Sequence, residues 1–243
     1  MHVYAILIMC GLTTAGRLLS RRPRLRQFDA LLTPSQCEIV RSLAAASMGT
    51  CSLSEQSAGQ HERSSTGCWL PRYDSPRSAW RSLRASDEEI TLVGRVEALL
   101  AELCGMPPSH GEPAQVLRYR PGQEYAAHPD FFDPRDHAEL ANGGQRVATC
   151  LVYLTSVPSS CGGATSFPNA SLRVQPVAGR AIIWRNVRPG GSVDPLSVHA
   201  GNLVRRERGR RAVHEKWVLS KWMRQRPFDV DLCASFGAAP PHG

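Results

Sequence analysis

The pattern of hydrophobic and polar positions changes near the middle of the chain. In the first half, apolar residues recur with the period of about 3.6 residues that is typical of helices. The first such segment opens with Thr33 as a capping residue, Pro34 at the first helical position and Gln36 closing a capping box. A helix is therefore predicted to begin at Pro34.

A second helix is predicted between Ser86 and Gly105. Ser86 and Glu89 form another capping box, while Gly105 and the two prolines that follow mark the end of the helix. Residues 49–68, rich in Ser and Gly without periodicity, are interpreted as a loop or irregular strand. The apolar positions of the second helix fall on one face and are Ile90, Val93, Val96, Leu100 and Leu103.

From residue 114 the pattern becomes one of short strands separated by turn residues such as Gly143-Gly144 and Gly190-Gly191, without further helical signal. Helices followed by strands predict an α+β domain in which the helices support a β sandwich or barrel. The predicted strands are 115–120, 124–131, 146–157, 171–176, 180–185, 196–200 and 216–223.

Composition indicates a globular protein, with 42% apolar and 21% charged residues among 243. The net charge is +8, and 27 of the 29 basic residues are Arg. Many of them cluster at 17–26 and 205–211 without interleaved aromatic residues, which favours a leader flank and a solvated loop over a nucleic-acid surface. Only Lys216 and Lys221 are lysines, as expected of positions where Arg does not serve.

The N-terminal segment has the features of a leader. Residues 3–12 are apolar but far shorter than the about 20 residues that span a bilayer, and a small-residue stretch follows them. We predict a leader over 1–24, one domain over 25–226 and a flexible tail over 227–243. The leader favours the endoplasmic reticulum or secretory pathway, against an organelle leader or a buried segment of a cytoplasmic protein. No stable membrane span is expected.

The eight cysteines include no CxxC pair, so no zinc–thiolate site is expected. Cys51 and Cys68 are a conceivable disulfide pair.

His128 and Asp130 form a candidate metal site of another kind. A strand through His128 and Asp130 places both side chains on one face, because side chains alternate along a strand. Two histidines and one carboxylate, with the opposite positions open, are the ligand set of non-haem Fe(II) oxygenases. Two downstream histidines, His199 and His214, are candidates for the third ligand, and spacing alone leaves the choice between them open.

Six segments of the second half, in order, resemble the prolyl 4-hydroxylase family (alpha-subunit catalytic-domain type) of Fe(II)- and 2-oxoglutarate-dependent dioxygenases. FDALLTPSQCEIV and RSSTGCWL extend the resemblance into the first half, so that it covers roughly 25–226. It implies a double-stranded β-helix, or jelly roll, with the metal at one open end. The six segments are VLRYRPGQEYAAHPDFF, GGQRVATCLVYLTSV, GGATSFPNA, VAGRAIIW, DPLSVHAG and EKWVLSKWMR.

The resemblance implies that His199 is the third metal ligand. In the family the distal ligand stands in an Asp-Pro-x-Ser-x-His context, which begins here at Asp194 and ends at His199. His214 lacks that context and is interpreted as a loop residue. Fe(II) would thus be held by His128, Asp130 and His199.

The remote carboxylate of 2-oxoglutarate is expected to meet Lys216, Tyr119 and Thr165, again by resemblance. The chain departs from the family at the lysine, which follows the distal histidine by seventeen residues instead of about ten. The arginine-rich run 205–211 is interpreted as an insertion, which a loop tolerates at a cost of roughly 0.6 kcal/mol per doubling of length.

The implied activity is hydroxylation of a peptidyl proline with O2 and 2-oxoglutarate, yielding succinate and CO2, with ascorbate as reductant. Substrate contacts are expected from Tyr125, Arg146 and Trp184, although a buried core position is an alternative for Trp184 and Trp217. The expected partner is a proline-containing peptide or protein and not a nucleic acid. Two alternatives stay open: the same iron site acting on a lysyl residue or nucleic-acid base, and a non-catalytic jelly roll that binds peptide.

Overall fold

The structure is a computed structural model that describes residues 16–48, 64–207 and 213–231. Within these residues the α-helices are α1 (Pro34–Ala45), α2 (Asp87–Cys104) and α3 (His137–Ala141). The strands are β1 (Arg17–Arg21), β2 (Arg24–Phe28), β3 (Thr66–Trp69), β4 (Gln115–Tyr119), β5 (Tyr125–His128), β6 (Arg146–Tyr153), β7 (Thr165–Phe167), β8 (Leu172–Val174), β9 (Ala181–Arg185), β10 (His199–Gly201) and β11 (Lys216–Arg224).

Both predicted helices are confirmed, including their capping boxes. Thr33 accepts a hydrogen bond from the backbone of Gln36, and Ser86 accepts one from the backbone of Glu89. Gly105 ends α2 in the left-handed region at φ 66°, a conformation that glycine adopts at little cost. The short helix α3, capped by Asp136, was not predicted because one turn is too short to show a period.

The strands form two antiparallel sheets. The larger has seven strands in the order β1-β2-β9-β6-β11-β4-β3, and the smaller has four in the order β5-β10-β7-β8. A hydrophobic cluster joins them: Leu117, Tyr153 and Trp184 from the larger sheet pack with Phe167 and Val174 from the smaller. This α+β architecture of facing sheets agrees with the predicted jelly-roll class.

The larger sheet is buried on both faces because α1 and α2 cover the side that turns away from the smaller sheet. Alternate residues of β6 show this: Leu151 and Tyr153 belong to the core between the sheets, whereas Cys150 and Val152 belong to the core under the helices. Burial on both faces explains why these strands are almost continuously apolar.

The structure differs from the predicted domain bounds at both ends. Residues 17–24, assigned to the leader, form β1 and the start of β2, and β2 pairs with β9 through backbone hydrogen bonds. At the other end Phe228 is 2% exposed and its carbonyl accepts a hydrogen bond from Arg72 at 2.7 Å, so the domain continues beyond 226. Residues 1–15 and 232–243 lie outside the described residues, and the leader and tail stay predictions.

Most predicted strands are found with shorter bounds, and β1, β2 and β7 were not predicted. The segment predicted as strand 196–200 starts as a turn, because Asp194 accepts a hydrogen bond from the backbone of Leu196, and the strand begins only at His199. Cys68 is buried in β3 and Cys51 lies outside the described residues, so that disulfide stays a prediction. Among the described residues, no helix has the length and apolar content needed to cross a bilayer.

Candidate metal centre

The structure brings His128, Asp130 and His199 together at a cavity between the two sheets. β5 and β10 pair so that His128 lies directly opposite His199, and Asp130 follows two residues after His128. The Nε2 atoms of His128 and His199 lie 3.8 and 3.6 Å from the two carboxylate oxygens of Asp130. All three side chains are buried, and their ligand atoms lie within 4.8 Å of one another. The predicted set is therefore assembled without a contribution from His214.

Both imidazoles are oriented by their own backbone. Nδ1 of His128 lies 2.8 Å from the carbonyl oxygen of Ala126, and Nδ1 of His199 lies 3.1 Å from that of Ser197. A proton on each Nδ1 donates to that carbonyl, so Nε2 faces Asp130 and is the atom that a metal would bind. This second interaction fixes the tautomer that a metal requires.

A hydrogen-bond chain holds the carboxylate. The Thr149 hydroxyl donates to Asp130 at 2.7 Å and accepts from the side-chain amide of Asn186 at 2.8 Å. Burial acts to raise the pKa of Asp130, but the charges of His199 and His128 and the Thr149 hydrogen bond outweigh it and lower the pKa. Asp130 is thus kept as an anion, the form that binds a cation.

Aromatic rings pack against both histidines. Tyr125 stacks on His128 with ring centroids 3.7 Å apart, and Trp184 meets His199 edge-on at 4.6 Å. Phe167 lies 5.8 Å from the His199 ring. These contacts restrict the imidazoles to one orientation.

The cavity beside this cluster contains a buried lysine. Lys216 lines the same cavity as the three candidate ligands and is 1% exposed, although it follows the arginine-rich insertion. Among the described residues no carboxylate pairs with its ammonium group, whose Nζ lies 4.9 Å from the centre of the Tyr119 ring. Burial lowers the pKa of Lys216 to about 7. An anionic ligand would satisfy this group.

Tyr119 and Thr165, the other two residues predicted to meet 2-oxoglutarate, line the cavity with Lys216. Tyr119 lies opposite Lys216 in the β4–β11 ladder, and Thr165 lies opposite Gly201 in the β7–β10 ladder. The Thr165 hydroxyl accepts a hydrogen bond from Tyr153 at 2.8 Å, so its own proton is available to donate into the cavity. The three side chains offer donors where a carboxylate is expected.

His214 lies away from the cluster. Its Nε2 is 3.3 Å from Glu207, and it does not line the cavity that holds His128 and His199. This placement agrees with its interpretation as a loop residue. Lys216 and Lys221 point to opposite faces of β11, as their spacing predicts, because Lys221 pairs with Glu97 of α2.

Of the three residues predicted to contact substrate, Tyr125 and Trp184 line the cavity and Arg146 does not. Tyr125 lines the cavity and is half-buried. Arg146 is 1% exposed and forms two hydrogen bonds to the buried Glu112 at 2.7 and 2.8 Å, so it is an internal ion pair and not an open contact. Trp184 lines the cavity but is fully buried between the sheets, and Trp217 faces the helices. Both tryptophans are core residues, the alternative stated for them.

The sequence reasoning missed Trp222, Thr149 and Asn186. Trp222 lines the cavity and lies over the Arg146 guanidinium, 4.3 Å from the ring centre. It has the same parity on β11 as Lys216, which is the signal that points to it. Thr149 is a polar residue on the inner face of an apolar strand, a signal visible in sequence. Asn186 follows β9, and nothing local marks it.

Comparisons with known proteins agree with this geometry. A family model described as the 2OG-Fe(II) oxygenase superfamily matches residues 114–224. Probable prolyl 4-hydroxylase 3 of Arabidopsis thaliana is 31% identical, over 85% of this chain and 71% of the relative. Prolyl 4-hydroxylase subunit alpha-1 of Gallus gallus is also 31% identical, over 84% of this chain and 36% of that subunit.

A solved structure has the same fold. The viral collagen prolyl hydroxylase of Paramecium Bursaria Chlorella virus-1, in its 2OG complex, superimposes with a TM-score of 0.59 and 23% identity. The match covers 82% of this chain and 95% of the viral protein.

Proposed function

Because this chain belongs to the prolyl 4-hydroxylase family of 2-oxoglutarate- and Fe(II)-dependent dioxygenases, we propose that it hydroxylates proline residues of a peptide or protein. The observation that carries the proposal is the pairing of two features in one cavity. The His128–Asp130–His199 cluster lies at this cavity, and so does Lys216, a buried ammonium without a carboxylate partner among the described residues. The first suits Fe(II) and the second suits the far carboxylate of 2-oxoglutarate.

The residues present fit both groups. His128, Asp130 and His199 would hold Fe(II) through two imidazole nitrogens and one carboxylate, the ligand set of such oxygenases. When bound, Fe(II) and 2-oxoglutarate supply the oxidation, in which O2 gives one atom to the hydroxyl group and one to succinate as CO2 is released. The protein supplies orientation and a cavity that limits water.

Each residue then has a defined task. Tyr125 and Trp184 hold the ligand rings, and Thr149 holds Asp130. Lys216 donates hydrogen bonds to the carboxylate of 2-oxoglutarate, and Thr165 donates a further one. Lys216 lines the cavity as a compact cation, a group that the longer, planar guanidinium of arginine does not replace one for one.

Tyr125 and Trp222 line the cavity and are proposed to border the substrate. A proline-rich peptide arrives as an extended polyproline helix, which aromatic rings bind well. We further infer that ascorbate sustains turnover, as expected of the family.

The proposal is tested by measuring succinate formation from 2-oxoglutarate with Fe(II), O2 and ascorbate, with and without a proline-rich peptide. Wild type is expected to show peptide-stimulated succinate and a mass gain of one oxygen on the peptide. His199→Ala is expected to lose at least about 100-fold, the scale of losing a group that binds the reacting centre. His137→Ala, at an exposed histidine outside the cavity, serves as the matched histidine control and is expected to retain activity.

Other outcomes separate the alternatives. Succinate formation that a lysine-containing peptide or methylated oligonucleotide stimulates, and the proline peptide does not, would keep the oxygenase and reject proline as substrate. Iron binding without succinate under any condition would instead favour the non-catalytic peptide-binding alternative.

A further inference from the structure

A second group of potential metal ligands lies outside the cavity already described. The thiol of Cys161, the carboxylate of Glu207 and the imidazole of His214 have ligand atoms within 4.8 Å of one another. Cys161 belongs to the turn between β6 and β7, whereas Glu207 and His214 stand on either side of residues 208–212, which lie outside the described residues. We call this group the Cys161 cluster. None of its three residues lines the cavity of His128.

One distance within the Cys161 cluster matches the spacing of two ligands on a single ion. Nε2 of His214 lies 3.3 Å from a carboxylate oxygen of Glu207. A charge-assisted hydrogen bond is shorter, about 2.7–2.9 Å. In contrast, two ligands at about 2.05 Å from a tetrahedral zinc ion are separated by about 3.3 Å. The pair is therefore spaced like one edge of a zinc tetrahedron.

Backbone hydrogen bonds hold the two parts of the Cys161 cluster against each other. The backbone of Arg205 donates to the carbonyl of Cys161 at 2.7 Å, and that of Gly163 donates to the carbonyl of Leu203 at 3.0 Å. The thiol side is therefore fixed relative to the segment that leads into Glu207. A site that exists before the ion arrives loses less free energy to ordering on binding.

Exposure within the cluster also suits an ion. Cys161 is fully buried, while the side chains of Glu207 and His214 are 22% and 29% exposed. An ion can therefore enter from the solvent side, and a water molecule can take a fourth position.

We propose that Cys161, Glu207 and His214 bind a divalent cation of the zinc type. Zn²⁺ accepts sulfur, nitrogen and carboxylate ligands in four-coordinate sites. On binding, the sulfur–hydrogen bond of Cys161 breaks, its proton goes to solvent and a zinc–sulfur bond forms with no change of oxidation state. The cluster contains no CxxC pair, because its ligands come from segments that only the fold brings together.

The consequence is a crosslink at the base of the arginine-rich insertion. The bound ion would join the β6–β7 turn to the residue two positions before Lys216, where β11 begins. The start of β11 would thus be anchored despite the long connection from β10. This binding does not depend on the reaction at the first site.

Cobalt(II) distinguishes the two sites, because only the Cys161 cluster contains sulfur. A thiolate ligand gives Co²⁺ an intense charge-transfer absorption that nitrogen and oxygen ligands do not give. Metal-free, reduced full-length protein would be titrated with Co²⁺ and then with Zn²⁺. We expect this band to saturate as Co²⁺ fills the Cys161 cluster, while Co²⁺ taken up by the first site adds nothing to it, and to disappear as Zn²⁺ displaces Co²⁺.

Variants assign the band to the cluster. Cys161→Ser and His214→Ala are expected to lose it, and Glu207→Gln to require more Co²⁺. Cys37→Ser, at another buried cysteine, and His137→Ala, at an exposed histidine, are matched controls that should keep it. Absence of the band in wild type, or its survival in His214→Ala, would overturn the proposal. If Cys161→Ser fails to fold, the His214→Ala variant still tests the proposal. The His214 side chain is partly exposed, so its removal should leave the protein folded.

Discussion

Single residues show how burial gives two similar side chains different tasks. Lys216 and Lys221 are both 1% exposed and stand on the same strand. Lys221 is neutralised by Glu97, whose second oxygen accepts a hydrogen bond from the backbone of Tyr73 at 2.7 Å. Lys216 has no such partner among the described residues and faces the cavity. One lysine therefore stabilises the fold, and the other is placed to bind a ligand.

Replacing each lysine by methionine separates these tasks. Lys221→Met leaves the carboxylate of Glu97 buried and unpaired, so we expect the free energy of unfolding to fall by about 3–5 kcal/mol. Lys216→Met removes an unpaired buried cation, so stability should be equal or higher while 2-oxoglutarate binding is lost. Urea unfolding and calorimetric titration with 2-oxoglutarate measure the two effects. A large loss of stability in Lys216→Met would contradict the assignment.

The pKa of Lys216 predicts how binding depends on pH. Burial lowers this pKa to about 7, whereas pairing with a carboxylate favours the charged form. Above pH 7 the free protein must therefore take up a proton to bind 2-oxoglutarate. We expect the dissociation constant to rise toward about tenfold per pH unit above that pKa. Titrations in buffers of different ionisation enthalpy would detect the proton uptake.

The lowered pKa of Lys216 also predicts how the stability of the protein changes with pH. The folded pKa of Lys216, about 7, is below its usual value of 10.5, so the unfolded chain binds more protons between these values. The contribution of Lys216 to stability therefore rises with pH across that window and is unfavourable below it. For binding, a dissociation constant of 2-oxoglutarate that does not change with pH in wild type would show that Lys216 does not contact this ligand.

At the scale of elements, the site depends on which strands are neighbours. β10 lies between β5 and β7, so that His199 faces His128 and Gly201 faces Thr165 across the two ladders. A shift of the register by one residue would turn every side chain of β10 to the other face. The short strand therefore controls both the metal ligands and the carboxylate end of the cavity.

Gly201 tests this arrangement. A Cβ at Gly201 would lie 3.4 Å from the Tyr119 hydroxyl and 3.5 Å from Nζ of Lys216, distances that the fold accepts. The added methyl group of Gly201→Ala would occupy the space beside the ammonium group. We expect KM for 2-oxoglutarate to rise about tenfold or more, a cost of about 1.4 kcal/mol, with the melting temperature unchanged. Ala200→Ser, on the opposite face of β10, is the control, and equal KM values in both variants would count against this geometry.

At the scale of the whole molecule, the two tasks of support and chemistry lie on opposite faces of the larger sheet. One face of the larger sheet packs against α1 and α2 and forms a hydrophobic core with them. The smaller sheet covers the other face, where the site lies. The two candidate histidines therefore stand on strands of a fold whose apolar packing is independent of any metal, and Asp130 follows one of these strands. The fold should form before the metal binds.

Removal of metal is the corresponding prediction. EDTA is expected to abolish turnover while the far-ultraviolet circular dichroism spectrum stays that of the folded protein. The free energy of unfolding should fall only by the contribution of ion binding, about 2.7 kcal/mol for an ion at 100 times its dissociation constant. Fe(II) should restore activity. Unfolding by EDTA at ambient temperature would contradict the view that the strands form without metal.

Features that depend on residues close together in the chain could be predicted from the sequence alone. The capping residues Thr33 and Ser86 predicted where two helices begin, because caps act within one helical turn. The alternation of side chains along a strand separated Lys216 from Lys221, since this period needs no knowledge of neighbours. It also predicted His128 beside Asp130, which do lie together although β5 ends at His128. The order of the motifs, read as a family resemblance, then indicated the fold class and the enzyme.

Contacts between distant segments were decided only by the tertiary structure. Spacing left two histidines as candidates, and the pairing of β5 with β10 brings one of them to Asp130. The buried partner of Arg146, the place of β1 and β2 in the sheet and the Cys161 cluster likewise join residues far apart in the chain. Local periodicity predicts which face of a strand a side chain occupies. Its neighbours on that face depend on the order of the strands, and this order results from the packing of the whole chain.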